Sequence, residues 1–267
     1  MSFCVDLEPL KPFFFWSSCL VVGAALAGCG GGADVPVAKL APDKPAPTKT
    51  VDPATAGSVT GRVTLTGKPE PMRPIDMNSE PSCASAHPSP VIPPAVVVDA
   101  SGHLANAVVY IKSGVSDYLF RPPAAPAKLT QKGCMYEPHV TAVMAGQNLE
   151  VENEDQATHN VFFMAQQNRS SNRSSQPGSQ PILETLAVPE LAIPVKCNVH
   201  PWMKGYVFVF DNPYFAVTQR DGTFSLNGIP SGTYTLAAWQ EMYGTSEQTV
   251  TISPSQAAKV DFVFKAQ

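Results

Sequence analysis

Three observations predict an all-β chain built from two sandwich domains. Helical periodicity is nearly absent. Short alternating or apolar runs, bounded by Gly, Pro and Asn-Gly turns, recur along the chain. The 267 residues exceed what one small sandwich needs and suit about two domains. Val59–Leu65 alternates and stops at Gly67-Lys-Pro69, and residues 69–95 hold so many prolines that they read as a long irregular connection. Ala107–Lys112 is a short apolar run introduced by the Ser101-Gly102 turn, and prolines 122, 123 and 126 break the chain after it. Gln166–Gln180 is polar and reads as a loop, whereas Tyr206–Phe210 reads as a buried strand. Beyond it, turns at Asp221-Gly222, Asn227-Gly228 and Pro230-Ser-Gly232 separate alternating runs around Phe224, Leu226, Tyr234 and Leu236, followed by strands at Thr249–Ile252 and Val260–Phe264.

The N-terminus belongs to neither sandwich. Phe13–Ala27 is apolar but too short to span a bilayer comfortably, and it reads as a secretory signal over residues 1–28. Its ending, Leu26-Ala-Gly-Cys29, resembles the bacterial lipoprotein lipobox, which implies a lipid on Cys29; an ordinary cleavage near Ala27 is the alternative. Residues 29–56 are rich in Gly, Ala, Pro, Lys and Thr, cannot form a core, and read as a disordered tether. Loss of residues 1–28 removes one of 18 basic and two of 22 acidic side chains, leaving a net charge near −3. With no basic cluster, nucleic acid is excluded as a partner. In an exported chain, Cys83 and Cys134 are an even pair in an oxidising compartment, and the simplest assignment is a disulfide. A second metal site using His87 and His139 is the alternative.

The chemistry concentrates in Cys197-Asn-Val-His200-Pro-Trp-Met203, read together with Thr158-His159-Asn160-Val161. One thiolate, two imidazoles and one thioether form the ligand set of a mononuclear type 1 copper site: His159, Cys197 and His200 near one plane, with Met203 as the weak axial donor. Cys197, His200 and Met203 stand three apart, so a single tight loop brings them to one point. The flanks point the same way. The stretch from Tyr136-Glu-Pro-His through Ala145-Gly and Asn153-Glu-Asp155 to His159-Asn-Val resembles the cupredoxin family over residues 126–211, and the short ligand loop is most similar to that of amicyanin. The resemblance implies a Greek-key β-sandwich, a role for Asn160 in tying its strand to the ligand loop beside Asn198, and an exposed His200 edge through which electrons leave. Ordinary turn chemistry is the alternative for both asparagines. Pro201 and Trp202 are expected to form an apolar docking surface for redox protein partners, with simple packing as the alternative for Trp202. One departure from the family is that Val195 and Lys196, not aromatic residues, precede Cys197.

The C-terminal run Asp221-Gly-Thr-Phe-Ser-Leu-Asn-Gly-Ile-Pro-Ser-Gly-Thr-Tyr-Thr-Leu236 resembles the carboxypeptidase regulatory-like domain, a transthyretin-like β-sandwich that implies a non-catalytic module. The opening strands of that family are matched by Val59-Thr-Gly-Arg-Val63 and Gly102-His-Leu-Ala-Asn-Ala-Val108, both upstream of the copper segment. The expected order is therefore a first part of this sandwich over 57–125, the cupredoxin inserted at 126–211, and the remainder over 212–267; two domains arranged in simple sequence are the alternative. The expected function is an exported, membrane-tethered one-electron carrier facing the periplasm or cell surface, and not an enzyme. Copper trafficking or storage of Cu(I) by the same ligands is the alternative.

Overall fold

The computed structural model describes residues 46–266, so the signal peptide, Cys29 and the first part of the tether lie outside the described residues. The tether expected to run to residue 56 ends earlier. The backbone N–H groups of Thr48 and Lys49 donate to Asp117 O at 3.1 and 3.0 Å, Leu119 N–H donates to Lys49 O at 2.8 Å, and the Lys49 ammonium meets the Asp117 carboxylate at 3.0 Å. Pairing with ordered chain holds this segment although it has few apolar side chains to bury.

Strands β1 (Gly57–Thr66) and β2 (Val108–Ser113) come first, separated by the Pro-rich connection and its one short helix, α1 (Pro81–Ser85). Nine strands follow: β3 (Ala127–Lys132), β4 (Met135–Glu137), β5 (Val140–Met144), β6 (Asn148–Asn153), β7 (His159–Phe163), β8 (Ser171–Ser175), β9 (Ile182–Thr185), β10 (Glu190–Lys196) and β11 (Lys204–Phe210). They pair only among themselves, in sheets ordered β5-β11-β10-β7-β8 and β4-β3-β6-β9. The chain then returns through β12 (Phe215–Val217), β13 (Thr223–Ile229), β14 (Gly232–Gln240), β15 (Gly244–Ile252), β16 (Ala257–Lys259) and β17 (Phe262–Lys265). These join the first two strands: β1 lies between β13 and the β16/β17 pair, and β2 lies between β12 and β14. The protein is thus all-β, with one sandwich inserted between the second and third strands of another. The polar stretch 166–180 is not simply a loop, because β8 inside it completes a full antiparallel ladder with β7, from His159↔Ser175 to Phe163↔Ser171. Backbone pairing at a sheet edge asks little of the side chains, so polarity does not exclude it.

Four sheets stack with three apolar layers between them. One core, including Val59, Leu104, Ile111, Leu236 and Phe262, fills the outer sandwich. A second, including Leu129, Leu149, Val161, Phe163, Ile193 and Val207, fills the inserted one. The third joins the two sandwiches: Val108, Tyr110 and Ala237 pack against Val140, Phe208 and Phe210. Aromatic contacts carry this joint, with ring centroids 5.0 Å apart for Tyr110–Phe210 and 4.8 Å for Phe208–Trp239. β2 and β11 are consequently buried on both faces, which is why they read as continuous apolar runs and not as alternating ones. At the edge of the joint, His139 bridges Lys204 O and the Glu241 carboxylate, each at 3.1 Å.

Gly61 shows why the outer sandwich needs its Gly-containing first strand. β1 changes partner there, pairing with β16 through residues 58–60 and with β17 from Val63. A Cβ on Gly61 would lie 1.7 Å from Val260 O, so only glycine allows the crossing.

The joint between sandwiches should carry a large share of stability. Phe208 is fully buried. Phe208→Ala should lower unfolding free energy by about 3–5 kcal/mol in equilibrium urea denaturation, the usual range for truncating a packed aromatic side chain.

Candidate metal centre

Strand pairing brings the four sequence-predicted ligands into one region. β10 and β11 form a hairpin whose last pair is Lys196↔Lys204, so the seven residues between them close a tight loop. Cys197 N–H donates to Met203 O at 3.2 Å and Met203 N–H donates to His200 O at 2.9 Å. The antiparallel pairing of β7 with β10 sets His159, the first residue of β7, beside this loop. Nδ1 of His159 stands 2.9 Å from Nδ1 of His200, and Cys197 Sγ lies 3.8 Å from that same His200 nitrogen. His159, Cys197, His200 and Met203 are all buried. Val195, two residues before Cys197, is also buried and belongs to the same core.

Other His and Cys atoms come close to this cluster. One ring nitrogen of His200 lies within 4.8 Å of the Cys83 and Cys134 sulfurs, and Cys134 is similarly close to Asp155 and His159. Cys83 and Cys134 are bonded to each other, however, with Cα atoms 5.4 Å apart, as the cysteine count predicts. Cys197 is the free cysteine among the described residues, so the soft thiolate donor belongs to the His159–Cys197–His200 group. The alternative second metal site does not form: His87 binds Gly133 O at 2.6 Å, and His139 is engaged at the joint.

Cys197 and His159 are oriented from behind. Asn160 N–H points at Cys197 Sγ at 3.4 Å, its side-chain oxygen accepts from Asn198 N–H, and its amide nitrogen donates to Asn172 Oδ1. Asn160 O accepts from Tyr136 Oη at 2.8 Å and Gln131 Nε2 at 3.2 Å. Four contacts therefore tie β7 to the ligand loop and to the opposite sheet. The sequence reading misses Tyr136 and Gln131, although both are buried polar groups within the inserted sandwich. It also misses Asp155, whose Oδ2 lies 2.9 Å from His159 Nε2. The backbone N–H groups of Gly133 and Cys134 hold Asp155 in place at 2.7 and 2.8 Å. A proton held on Nε2 leaves the His159 Nδ1 lone pair free for a metal, and such outer carboxylates commonly fix the tautomer of a ligand imidazole. The signal was present: Asp155 ends the Asn-x-Asp turn, with its N–H bonded to Asn153 Oδ1 at 2.9 Å.

One expectation is corrected. His200 was expected as an exposed edge, yet it is only 2% exposed. Glu80 Oε2 lies 3.8 Å from its Nε2, and the Trp202 ring centroid lies 5.1 Å from its own. The cause is the Pro-rich connection, expected as part of the outer sandwich, which instead packs Met77 and Cys83 into the core of the inserted one. Trp202 is half-buried and donates Nε1–H to Cys134 O at 3.1 Å, whereas Pro201 and Val199 remain exposed.

Burial and charge divide the protons unequally. Burial disfavours charge on His159, but hydrogen bonds to Asp155 and Cys197 outweigh it and push its pKa up to about 9. Burial holds His200 below the usual imidazole range, assisted by positive charge on His159 and opposed by Glu80. Burial would raise the Cys197 thiol, but the contacts with His159 and the Asn160 N–H reverse this and lower it. The metal-free pocket thus favours a proton on His159, eases loss of the Cys197 proton and disfavours charge on His200. Two ring nitrogens and a sulfur turned toward one another in a dry pocket are a donor set that fits a copper ion.

Comparison with known proteins adds the following. Residues 207–265 match the family model of the carboxypeptidase regulatory-like domain. The match begins inside β11, a strand of the inserted sandwich, and continues through the returning strands of the outer one. No curated protein matches the chain. Among solved structures, a copper-containing nitrite reductase from Thermus scotoductus SA-01 aligns with 19% identity over 39% of this chain and 25% of its own, at a TM-score of 0.31. A purple cupredoxin from Nitrosopumilus maritimus aligns with 18% identity over 31% of this chain and 98% of its own, at 0.27. A reduced amicyanin variant aligns with 21% identity over 38% of this chain and 97% of its own, at 0.29. This chain therefore spans about a quarter of the nitrite reductase.

Proposed function

We propose that this protein is an exported, membrane-tethered carrier of single electrons, with one type 1 copper held by His159, Cys197, His200 and Met203, and that it is not an enzyme. The observation that carries the reading is the convergence of His159 Nδ1, His200 Nδ1 and Cys197 Sγ in a buried pocket closed by the Met203 loop. Bound copper supplies one reversible electron between its two oxidation states. The protein's own groups do the rest. Asp155 and the Asn160 contacts hold the ligands in one arrangement, so little rearranges when the charge changes, and the apolar core beneath Cys197 excludes water. Copper trafficking or storage of Cu(I) uses the same donors, but burial of all four ligands opposes ready hand-over. On this reading, lipid at Cys29 and the residues before Thr48 hold the protein at a membrane facing the periplasm or cell surface, which raises its effective concentration near redox partners. Exposed Pro201 and half-buried Trp202 lie beside the His200 loop and form the small docking patch, of a size suited to brief encounters.

Adding Cu(II) to the chain from residue 30 onward should produce an intense visible band and a narrow copper hyperfine splitting. Both should vanish in Cys197→Ala, and a band that persists there would overturn the site. Met203→Leu should keep the colour and raise the reduction potential, because the axial donor favours Cu(II).

Copper must also displace the proton that His159 holds up to about pH 9. Binding near neutral pH should release at least one proton per copper, and affinity should climb as pH rises toward 9. Titration calorimetry in buffers of different ionisation enthalpy reads this directly. Trp202→Lys should slow electron exchange with a redox partner in stopped flow while leaving the copper spectrum nearly intact. Equal rates would remove this face from the mechanism, and ready Cu(I) transfer to a chelating acceptor without loss of fold would favour trafficking.

A further inference from the structure

The Pro-rich connection does more than link β1 to β2. Ile75 N–H donates to Val91 O at 2.8 Å, closing residues 75–91 into a loop. Met77 and Cys83 are buried in the core of the inserted sandwich, and Cys83 is bonded to Cys134. His87 on the same loop grips Gly133 O at 2.6 Å. Two attachments thus fasten the loop to the Gly133–Cys134 turn, and burial of Met77 seats it in the core. Glu80 stands between Met77 and Cys83, with its N–H bonded to Met77 O at 2.9 Å and its carbonyl accepting from Cys83 N–H at 3.0 Å. Ser82 Oγ donates to Glu80 Oε1 at 2.7 Å, which turns Oε2 toward the metal centre.

At the receiving end, His200 Nε2 is one of four buried side-chain nitrogen and oxygen atoms among the described residues that lack a hydrogen-bond partner. The nearest carboxylate oxygen is Glu80 Oε2 at 3.8 Å, beyond a direct hydrogen bond but close for a charge contact. The two ligand imidazoles are therefore treated alike. Each turns Nδ1 inward and Nε2 toward a carboxylate, Asp155 for His159 and Glu80 for His200. Both carboxylates are held from the same turn, Asp155 by the N–H groups of Gly133 and Cys134, and Glu80 by the disulfide through Cys83.

We propose that Glu80 is a positioning residue for the copper centre, and that residues 75–91 form a fixed cover that places its carboxylate on His200 and closes the side where the ligand imidazole would otherwise face water. This deepens the copper reading and rests on it. A negative charge beside a ligand ring stabilises the more positive metal state, so Glu80 holds the reduction potential down. Electrons then cross the cover or the Trp202 ring, not a bare imidazole edge.

Two arms test the proposal, one with copper and one without. In the copper-loaded protein, Glu80→Gln should keep the visible spectrum and raise the potential, and the difference from the parent should shrink in high salt as screening grows. Ser82→Ala should move the potential the same way by less. An unchanged potential in Glu80→Gln would overturn the positioning role. In the metal-free full chain, diethyl pyrocarbonate labelling mapped by mass spectrometry should modify His200 far more slowly than His103, which is part-exposed at the outer sandwich. The Cys83→Ser/Cys134→Ser double variant, checked for retained fold by circular dichroism, should lose that protection. Labelling of His200 as fast as His103 in the parent would overturn the cover. That arm needs no metal, so failure to bind copper would sink the carrier reading without touching it.

Discussion

The architecture depends on burying both faces of two strands. β2 and β11 present apolar side chains on either side, so neither can sit at the surface of a simple two-sheet sandwich without exposing a large apolar face. Packing the two sandwiches through Tyr110, Phe208, Phe210 and Trp239 removes that exposure. It also fixes where the inserted sandwich stands. The chain enters it after β2 and leaves it through β11, so the two connections and the shared core lie at one junction. β11 is at once the floor of the joint and the strand that follows the ligand loop, which ties the geometry of the metal centre to the packing of the whole molecule.

A second constraint is concentrated at one turn. Gly133 and Cys134 hold Asp155 through their N–H groups, Cys134 O accepts the Trp202 ring N–H, and Cys134 Sγ carries the disulfide to the cover. Behind His159, beside His200 and under Trp202, the same two residues supply the anchoring contact. An arrangement of this kind resists drift of the imidazoles when charge on the centre changes. It also makes the outer part of the chain a contributor to the candidate metal site, since the cover belongs to the connection between β1 and β2.

The asymmetry between the two imidazoles follows from their surroundings. His159 lies against a carboxylate that is itself held by two N–H groups, and it keeps a proton well above the usual imidazole range. Burial suppresses charge on His200, the positive neighbour His159 adds to this, and the more exposed and more distant Glu80 carboxylate offsets it only in part. One pocket thus contains a strongly basic and a weakly basic ring nitrogen, and contact with the former draws the Cys197 pKa down.

The sequence by itself pointed to the all-β class, the candidate ligand set and the disulfide pair, because each is written in residue types at short or countable spacings, whereas the nesting of one sandwich in the other was one of two arrangements it allowed and strand pairing decided it. Cys197, His200 and Met203 share one loop, and Cys83 and Cys134 are the pair left over in a chain read as exported. Three further matters were decided only by tertiary structure. The polar run around Ser171–Ser175 became an edge strand because backbone pairing with β7 does not require apolar side chains. Lys49 was held by ordered chain near Asp117 although its composition reads as tether. Most consequentially, His200 was covered by a connection about 120 residues upstream. No local pattern announces such a contact, since Glu80, Met77 and Cys83 acquire their roles only when a proline-rich segment of one sandwich settles into the core of the other.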